Sequence, residues 1–458
     1  MTYSDFITSK AVVDVPTGFT PRGWPLTRPL FDFQKDIVTW ACRRGRAALF
    51  EDCGLGKTAQ QLAWANEVTV HTGGPVIILA PLAVAEQTVA EGLAMGIPVK
   101  HVSEQSEVGD AGIYITNYQK LHRFNCEDFV GVVLDESSIL KSFDGVTRKA
   151  ITTGFESTPY KLACTATPAP NDYMELGTHA EFLGVMTREE MLAMFFTHDG
   201  GDTSQWRLKG HAVDDFWHWL CTWAVNIKRP SDIGYDDAGF ILPKLITNER
   251  VVGSNQKMDG YLFALPASSL EERRDARRSS LNERVDAAAE IANCSNEQFV
   301  VWCNLNSESE ALTDEIDDAV EIAGKHDDEY KVNAIRKFLA GEIRVLVTKP
   351  SMFGFGLNLQ CCHRQIFVGL SDSYEQFYQA VRRCWRFGQK EVVHVDIVVA
   401  ETEGAVLANI RRKEADAEAM SRAMVKHMAK ISSDEIHGSH RNVTHYKPKQ
   451  EMVIPNWL

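Results

Sequence analysis

The sequence predicts an α/β protein: two doubly wound parallel-sheet lobes in tandem, with a cleft between them and a helical C-terminal extension. Three observations carry this. Continuous apolar runs of strand length alternate with helix-length segments within residues 26–240, the pattern of a parallel sheet covered on both faces. The same alternation returns over residues 291–403, after a connector at 241–290. A glycine-containing turn joins the first apolar run to a helical segment, as a phosphate-binding loop does.

Taken in order, residues 1–25 hold prolines and glycines without periodicity and read as an arm. The front lobe follows, with strands expected at AALF (47–50), PVIILA (75–80), GIYIT (112–116), VGVVLD (130–135) and YKLACTAT (160–167). In FWHWLCTWAVNIKRP, Phe216, Trp217, Leu220 and Trp223 recur near helical spacing, which predicts core packing rather than base stacking. The connector ends in EERRDARRSSLNER, expected to be an exposed charged helix. Strands of the rear lobe are expected at QFVVWCN (298–304), IRVLVTK (343–349), RQIFVGL (364–370) and VVHVDIVVA (392–400). A charged, alanine-rich helix and a polar tail make up residues 404–458.

Composition bounds the class and not the function, since 44% hydrophobic and 24% charged residues are ordinary for a soluble globular chain. The start MTYSDFITSK lacks the basic and apolar segments of a secretory signal, and no apolar run approaches the ~20 residues that span a bilayer. These features point to a cytoplasmic protein with no membrane partner. The ten cysteines include no CxxC pair, so idle or buried thiols in a reducing compartment are expected and no structural metal is. A formal net charge of −14 works against phosphate binding. Any nucleic-acid contact must therefore be confined to a groove, although basic clusters occur at Arg273-Arg274, Arg277-Arg278, Arg382-Arg383-Arg386 and Arg411-Arg412-Lys413.

The candidate nucleotide site starts at EDCGLGKT. Gly54 and Gly56, flanking Leu55, let the backbone turn and aim its N–H groups at phosphate, Lys57 can reach the β and γ phosphates, and Thr58 offers a hydroxyl to magnesium. Glu51 stands where the full loop pattern has Gly or Ala. Downstream, VGVVLD delivers Asp135 and Glu136 at a strand's carboxyl end, where open parallel sheets place ligand sites. Asp135 is assigned to Mg2+ and Glu136 to the attacking water. Gln34 could pair with adenine through its amide. In the rear lobe, Gln379, Arg383 and Arg386 are spaced along one helical face, and an arginine brought from another domain would stabilise charge on ATP in the transition state.

These residues resemble the superfamily 2 helicases and translocases, whose lobes are RecA-like, and particularly their Swi/Snf-like branch and its compact phage-encoded relatives. EDCGLGKT is similar to motif I, LDESS to the DEAD/DEAH box and CTATP to motif III. VVWCN is similar to motif IV, TKPSMFGFGLNLQ to motif V and QAVRRCWRFGQ to motif VI. The blocks span roughly residues 28–400 in the family's order, and Arg386 to Gln389 points to the Swi/Snf-like branch.

The resemblance implies that Gln34 reads adenine, that Lys57 and Thr58 hold phosphate and Mg2+, and that Asp135 and Glu136 hydrolyse ATP. It also implies that Thr165 and Thr167 couple nucleotide state to lobe movement, and that Gly354, Gly356 and Asn358 line the cleft. Pro81, Thr116, Asn117, Asn304, Thr348 and Lys349 fall where the family touches the nucleic-acid backbone. Ser137 and Ser138 replace the Ala-Asp or Ala-His that commonly follows Asp-Glu, so the family's histidine link to motif III is missing and a serine hydroxyl is the candidate substitute.

The expected function is an ATP-dependent DNA helicase or translocase acting on duplex or single-stranded DNA, with replication or recombination proteins as further partners. An RNA-dependent ATPase and a non-catalytic DNA-binding replication scaffold are the alternatives.

Overall fold

The computed structural model describes residues 16–23, 25–81, 84–141, 145–169, 172–199, 202–253, 280–350, 358–371 and 373–436. A seven-stranded parallel sheet forms the front lobe. Its strands are β1 (Arg46–Glu51), β2 (Pro75–Ala80), β3 (Val99–His101), β4 (Gly112–Asn117), β5 (Gly131–Asp135), β6 (Tyr160–Thr165) and β9 (Ala224–Ile227), in the order β3-β4-β2-β5-β6-β1-β9. Its central strands are continuous apolar runs because both faces are covered, and a separate hydrophobic core lies on each face.

Helices α1 (Asp32–Arg44), α2 (Lys57–Thr72), α3 (Ala85–Met95), α4 (Val146–Gly154), α5 (Leu176–Leu183), α6 (Arg188–Phe195) and α7 (Val213–Trp223) belong to this lobe. An antiparallel hairpin, β7 (Phe196–Asp199) and β8 (Asp202–Leu208), projects between α6 and α7. As expected, Phe216, Trp217, Leu220 and Trp223 pack into the core.

The rear lobe is a six-stranded parallel sheet. Its strands are β10 (Leu245–Val252), β11 (Phe299–Cys303), β12 (Ala319–Ile322), β13 (Val345–Thr348), β14 (Arg364–Val368) and β15 (Val393–Ala400), in the order β10-β15-β14-β11-β13-β12. Helices α8 (Leu281–Asn293), α9 (Asn306–Glu315), α10 (Asp328–Leu339) and α11 (Tyr374–Cys384) accompany it.

Three features depart from the expected organisation. Strand β10, placed by the sequence in the connector, pairs with β15 along its whole length and forms the edge of the rear sheet. Residues 254–279, which include Arg273, Arg274, Arg277 and Arg278, lie outside the described residues, and α8 carries on from the expected charged helix. There Arg284 is fully buried, with its Nη1 2.6 Å from Glu308 and its Nε 3.6 Å from Glu403. A buried guanidinium persists only when paired in this way.

Helix α12 (Gly404–Ile436) spans both lobes. Its first turns bury Val406, Leu407 and Ile410 in the rear core, whereas Met424 and Met428 enter one front core and Ile436 the other. At 33 residues it is ~50 Å long. The expected extension is therefore a bridge between lobes. Among the described residues no helix is long and apolar enough to cross a membrane.

Candidate nucleotide site between the lobes

Parallel register sets the front half of the site. Phe50 pairs with Thr165 and Asp135 with Cys164, so Glu51, Asp135 and Thr165 emerge at one carboxyl edge of the sheet. The chain leaves β1 through Gly54 and Gly56, at φ 93° and 83°, and enters α2 at Lys57. Both glycines are sterically required. A Cβ on Gly56 would lie 2.3 Å from Gln34 Nε2, and one on Gly54 would lie 2.8 Å from the backbone nitrogen of Phe387. The turn thus sits against the rear lobe with its N–H groups at a helix N-terminus, a favourable anion environment.

Lys57 Nζ donates to the carbonyls of Glu51 (2.7 Å) and Asp52 (3.2 Å), which holds its ammonium over the loop. Burial opposes its charge, but Cys53, Glu136, Glu51 and Asp52 outweigh that effect and its pKa stands above the ordinary lysine value. Gln34 Nε2 donates to Leu55 O at 2.7 Å while its Oε1 accepts from Phe31 N at 3.0 Å. Its amide therefore ties the start of α1 to the backbone of the glycine turn. Beside it Phe31, Phe240 and Phe387 cluster, with ring centres 4.8 Å apart for Phe240 and Phe387 and 5.0 Å for Phe31 and Phe240. Sequence reasoning missed this aromatic wall because its members come from both lobes.

Asp135 and Glu136 line the cavity beside Lys57, on the same lobe. Gln61 Nε2 donates to Asp135 Oδ1 at 2.8 Å, and the Tyr118 hydroxyl donates to its carbonyl at 2.6 Å. Burial raises the Asp135 pKa, against the lowering effects of Gln61, Lys57 and Arg383. Glu136 adopts φ 54°, a rare conformation for a residue with a side chain. Burial, and then the charge of Asp135, push its carboxyl up to about 7. Glu51, fully buried and accepting from Gln60 Nε2 at 2.7 Å, is likewise pushed up to about 7 by burial. This is how a glutamate occupies a position where the loop pattern has a small residue.

Thr165 Oγ1 lies 3.5 Å from Glu136 Oε2 and accepts from Thr167 N at 3.1 Å. The expected coupling pair is therefore joined to the acidic pair. The replaced serines have separate partners. Ser137 Oγ lies 3.1 Å from Nε2 of His179, whose pKa burial lowers to about 4, while Ser138 Oγ donates to Glu375 of the rear lobe at 2.7 Å. A histidine does reach this region, but from α5.

The rear lobe contributes Arg383 and Arg386. Both line one cavity of about 540 Å³ together with Gln34, Gly54, Gly56, Lys57, Thr58, Asp135, Glu136 and Asn358. Burial lowers the pKa of Arg383, offset by Glu136 and Asp135, and burial followed by repulsion from Arg383 lowers that of Arg386. Only Gln379 and Arg383 lie on the helix. Because α11 ends at Cys384, Arg386 is presented by the turn beyond it rather than by the expected helical face. That turn is fixed by buried Gln389, whose Nε2 donates to the carbonyls of Gln360, Cys362 and Cys384. Gln379 is 3% exposed and both amide atoms lack hydrogen-bond partners, but it does not line the cavity. Gly354 and Gly356 lie outside the described residues.

The expected nucleic-acid residues divide. Thr116 and Thr348 have no accessible surface and Asn117 is 3% exposed. Thr348 Oγ1 donates to Ile322 O, and Asn117 Oδ1 accepts from Lys120 N. All three are buried near strand ends in this conformation. Pro81, Asn304 and Lys349 remain partly exposed.

Among the described residues, no group of three or more His, Cys, Asp and Glu could hold a metal ion. Thr58 and Asp135 both line the cavity and carry oxygens of the kind a hard cation takes. Mg2+ is typically held this way, by one or two protein ligands together with phosphate oxygens.

Residues 283–388 match the family described as helicase conserved C-terminal domain. No curated protein matches. Among solved structures, the SWI2/SNF2 ATPase core of Sulfolobus solfataricus in complex with dsDNA is similar at 16% identity, with 92% of this chain and 98% of that chain covered and a TM-score of 0.43.

Proposed function

We propose that this chain, whose rear lobe matches the helicase conserved C-terminal domain, is a superfamily 2 motor of the Swi/Snf-like kind that hydrolyses ATP between its lobes and moves along DNA. One observation carries the reading: Lys57, Asp135 and Glu136 from the front lobe and Arg383 and Arg386 from the rear line the same cavity. A cavity needing both lobes links the occupancy of the site to the distance between them.

In this mechanism the loop N–H groups and Lys57 hold the phosphates, and Gln34 and the phenylalanine wall meet the base. Thr58 and Asp135 would hold Mg2+, which neutralises phosphate charge when bound. Glu136 orients the attacking water and takes its proton. Its raised pKa suits a base working near neutrality, because the conjugate acid is neither too weak nor too strong at that pH. Arg383 and Arg386 stabilise charge on the transferred phosphoryl group. Thr165, in reach of Glu136, passes the change to Thr167 and the lobe interface.

DNA as the track is supported by the resemblance of Arg386 to Gln389 to the Swi/Snf-like branch. Pro81, Asn304 and Lys349 are the exposed candidates for backbone contact. With a net charge of −14, binding must be local and steeply salt-dependent.

Phosphate release measured with duplex DNA, single-stranded DNA and RNA tests the reading. We expect duplex DNA to stimulate most and Lys57→Ala and Glu136→Gln to abolish turnover without unfolding the protein. Undiminished turnover in both variants overturns the site, and stimulation by RNA alone overturns the choice of track. Triplex displacement without strand separation in a gel assay is the expected motor output.

A further inference from the structure

Helix α11 carries a second set of polar side chains that the hydrolysis mechanism does not use. Glu375, Tyr378 and Arg382 recur at intervals of three and four residues, so they share one face, adjacent to the face bearing Gln379 and Arg383. Every member of this set reaches the front lobe. Glu375 accepts from Ser138 Oγ at 2.7 Å and pairs with Lys141. The Tyr378 hydroxyl donates to Asp52 Oδ1 at 2.5 Å. Arg382 Nη2 lies 2.8 Å from the same oxygen and donates to Cys53 O at 2.7 Å.

These partners flank the chemistry. Ser138 lies two residues after Glu136, and Asp52 and Cys53 are the phosphate loop itself. Asp52 Oδ1 also accepts from Cys53 N at 2.7 Å, so one carboxylate oxygen joins the loop's backbone to two rear-lobe side chains. The Arg382 side chain is 3% exposed and stacks with its guanidinium carbon 4.8 Å from the Trp385 ring centre. A buried, stacked guanidinium whose Nη2 reaches both Asp52 and Cys53 has few alternative positions.

We propose that Glu375, Tyr378 and Arg382 form a docking face that seats α11 on the acidic pair and the phosphate loop, and so sets the position of Arg383 and Arg386 against the nucleotide. These are positioning residues. They act through the arginines and the loop; Arg382 also borders the nucleotide cavity, with its guanidinium held by Asp52 and Cys53. The inference rests on the proposed ATPase reading. It also accounts for Ser138, which links the acidic motif to the rear lobe rather than to the neighbouring motif of its own lobe.

The test uses full-length Arg382→Gln, Glu375→Gln and Tyr378→Phe, with ATP turnover and binding of a fluorescent ATP analogue measured on each. Misplacing a catalytic group by about 1 Å can cost ~100-fold in rate. We therefore expect kcat to fall about 10- to 100-fold in Arg382→Gln and Glu375→Gln while nucleotide affinity changes less than about threefold. Arg382→Lys should recover part of the loss, because it keeps the ion pair with Asp52. Asp52→Asn combined with Arg382→Gln should lose less than the product of the two single losses, since the two variants share the Asp52–Arg382 contact. Tyr378→Phe removes only a hydroxyl and guards against misfolding. Wild-type kcat in both Arg382→Gln and Glu375→Gln, or equal losses in kcat and affinity, overturns the docking face. Lys57→Ala and Glu136→Gln measured alongside separate the two ideas: if they retain turnover, the ATPase reading itself has failed.

Discussion

Gln61 Nε2 donates to Asp135 Oδ1 at 2.8 Å, and both side chains are buried. The bond joins the helix after the phosphate loop to the acidic strand end, so the two halves of the front-lobe site move as one piece. In Gln61→Leu the carboxyl loses its donor inside the protein, at a cost of ~1–3 kcal/mol. The variant should unfold at lower denaturant and turn over ATP more slowly. Unchanged values of both would show that the bond does not orient Asp135.

Glu51 makes stability depend on pH. Its folded pKa of about 7 lies above the ordinary 4.5, because burial outweighs the help of Lys57 and Gln60. Between those values the folded chain keeps a proton that the unfolded chain has lost. Stability from this group is therefore present below the unfolded pKa, falls as pH rises through the window, and stays lost above it. Glu51→Gln should make the melting temperature fall less steeply between pH 5 and 8, where Glu136 also titrates, and raise it at the alkaline end. An identical pH profile for variant and parent would contradict the assignment.

Arg284, Glu308 and Glu403 form a buried ion cluster tying α8, α9 and the turn before α12 together. Glu308→Ala leaves a buried cation with one carboxylate partner fewer. Breaking such a pair costs ~3–5 kcal/mol. Equilibrium denaturation should show a loss of that order, with the rear lobe unfolding first, and a change of less than ~1 kcal/mol would count against a structural role.

Gly56 and Gly73 are both left-handed, at φ 83° and 70°, yet only Gly56 faces the loop. Alanine at either position should cost roughly 1–2 kcal/mol of backbone strain. Only Gly56→Ala should also weaken binding of an ATP analogue, because its new methyl collides with Gln34. Equal affinities in the two variants would remove the loop from the nucleotide site.

The sequence was most informative where structure is local. β1, β2, β4, β5, β6, β11, β13, β14 and β15 coincide with apolar runs that burial on both faces makes continuous. β10 escaped because an edge strand with mostly exposed side chains, LITNERVV, shows no such run. β9 escaped because its four residues continue the apolar pattern of α7. In the site, the glycine turn after β1 and the acidic end of β5 were legible as strand ends, and the structure brings both to one cavity. The contact of Cys53 with Arg382 joins residues 329 apart, and no periodicity carries such a pairing. The helical extrapolation to Arg386 failed because the chain leaves the helix at Trp385, φ −89° and ψ 80°, with Gln389 Nε2 holding the Cys384 carbonyl.

A shared two-lobe site stands or falls on the rear-lobe arginine. Turnover of ATP by Arg383→Ala, measured with saturating duplex DNA, should fall by a factor on the order of 1,000 or more while binding of an ATP analogue persists, as loss of an arginine finger implies. Parent-level turnover in that variant would mean that hydrolysis is completed by the front lobe alone.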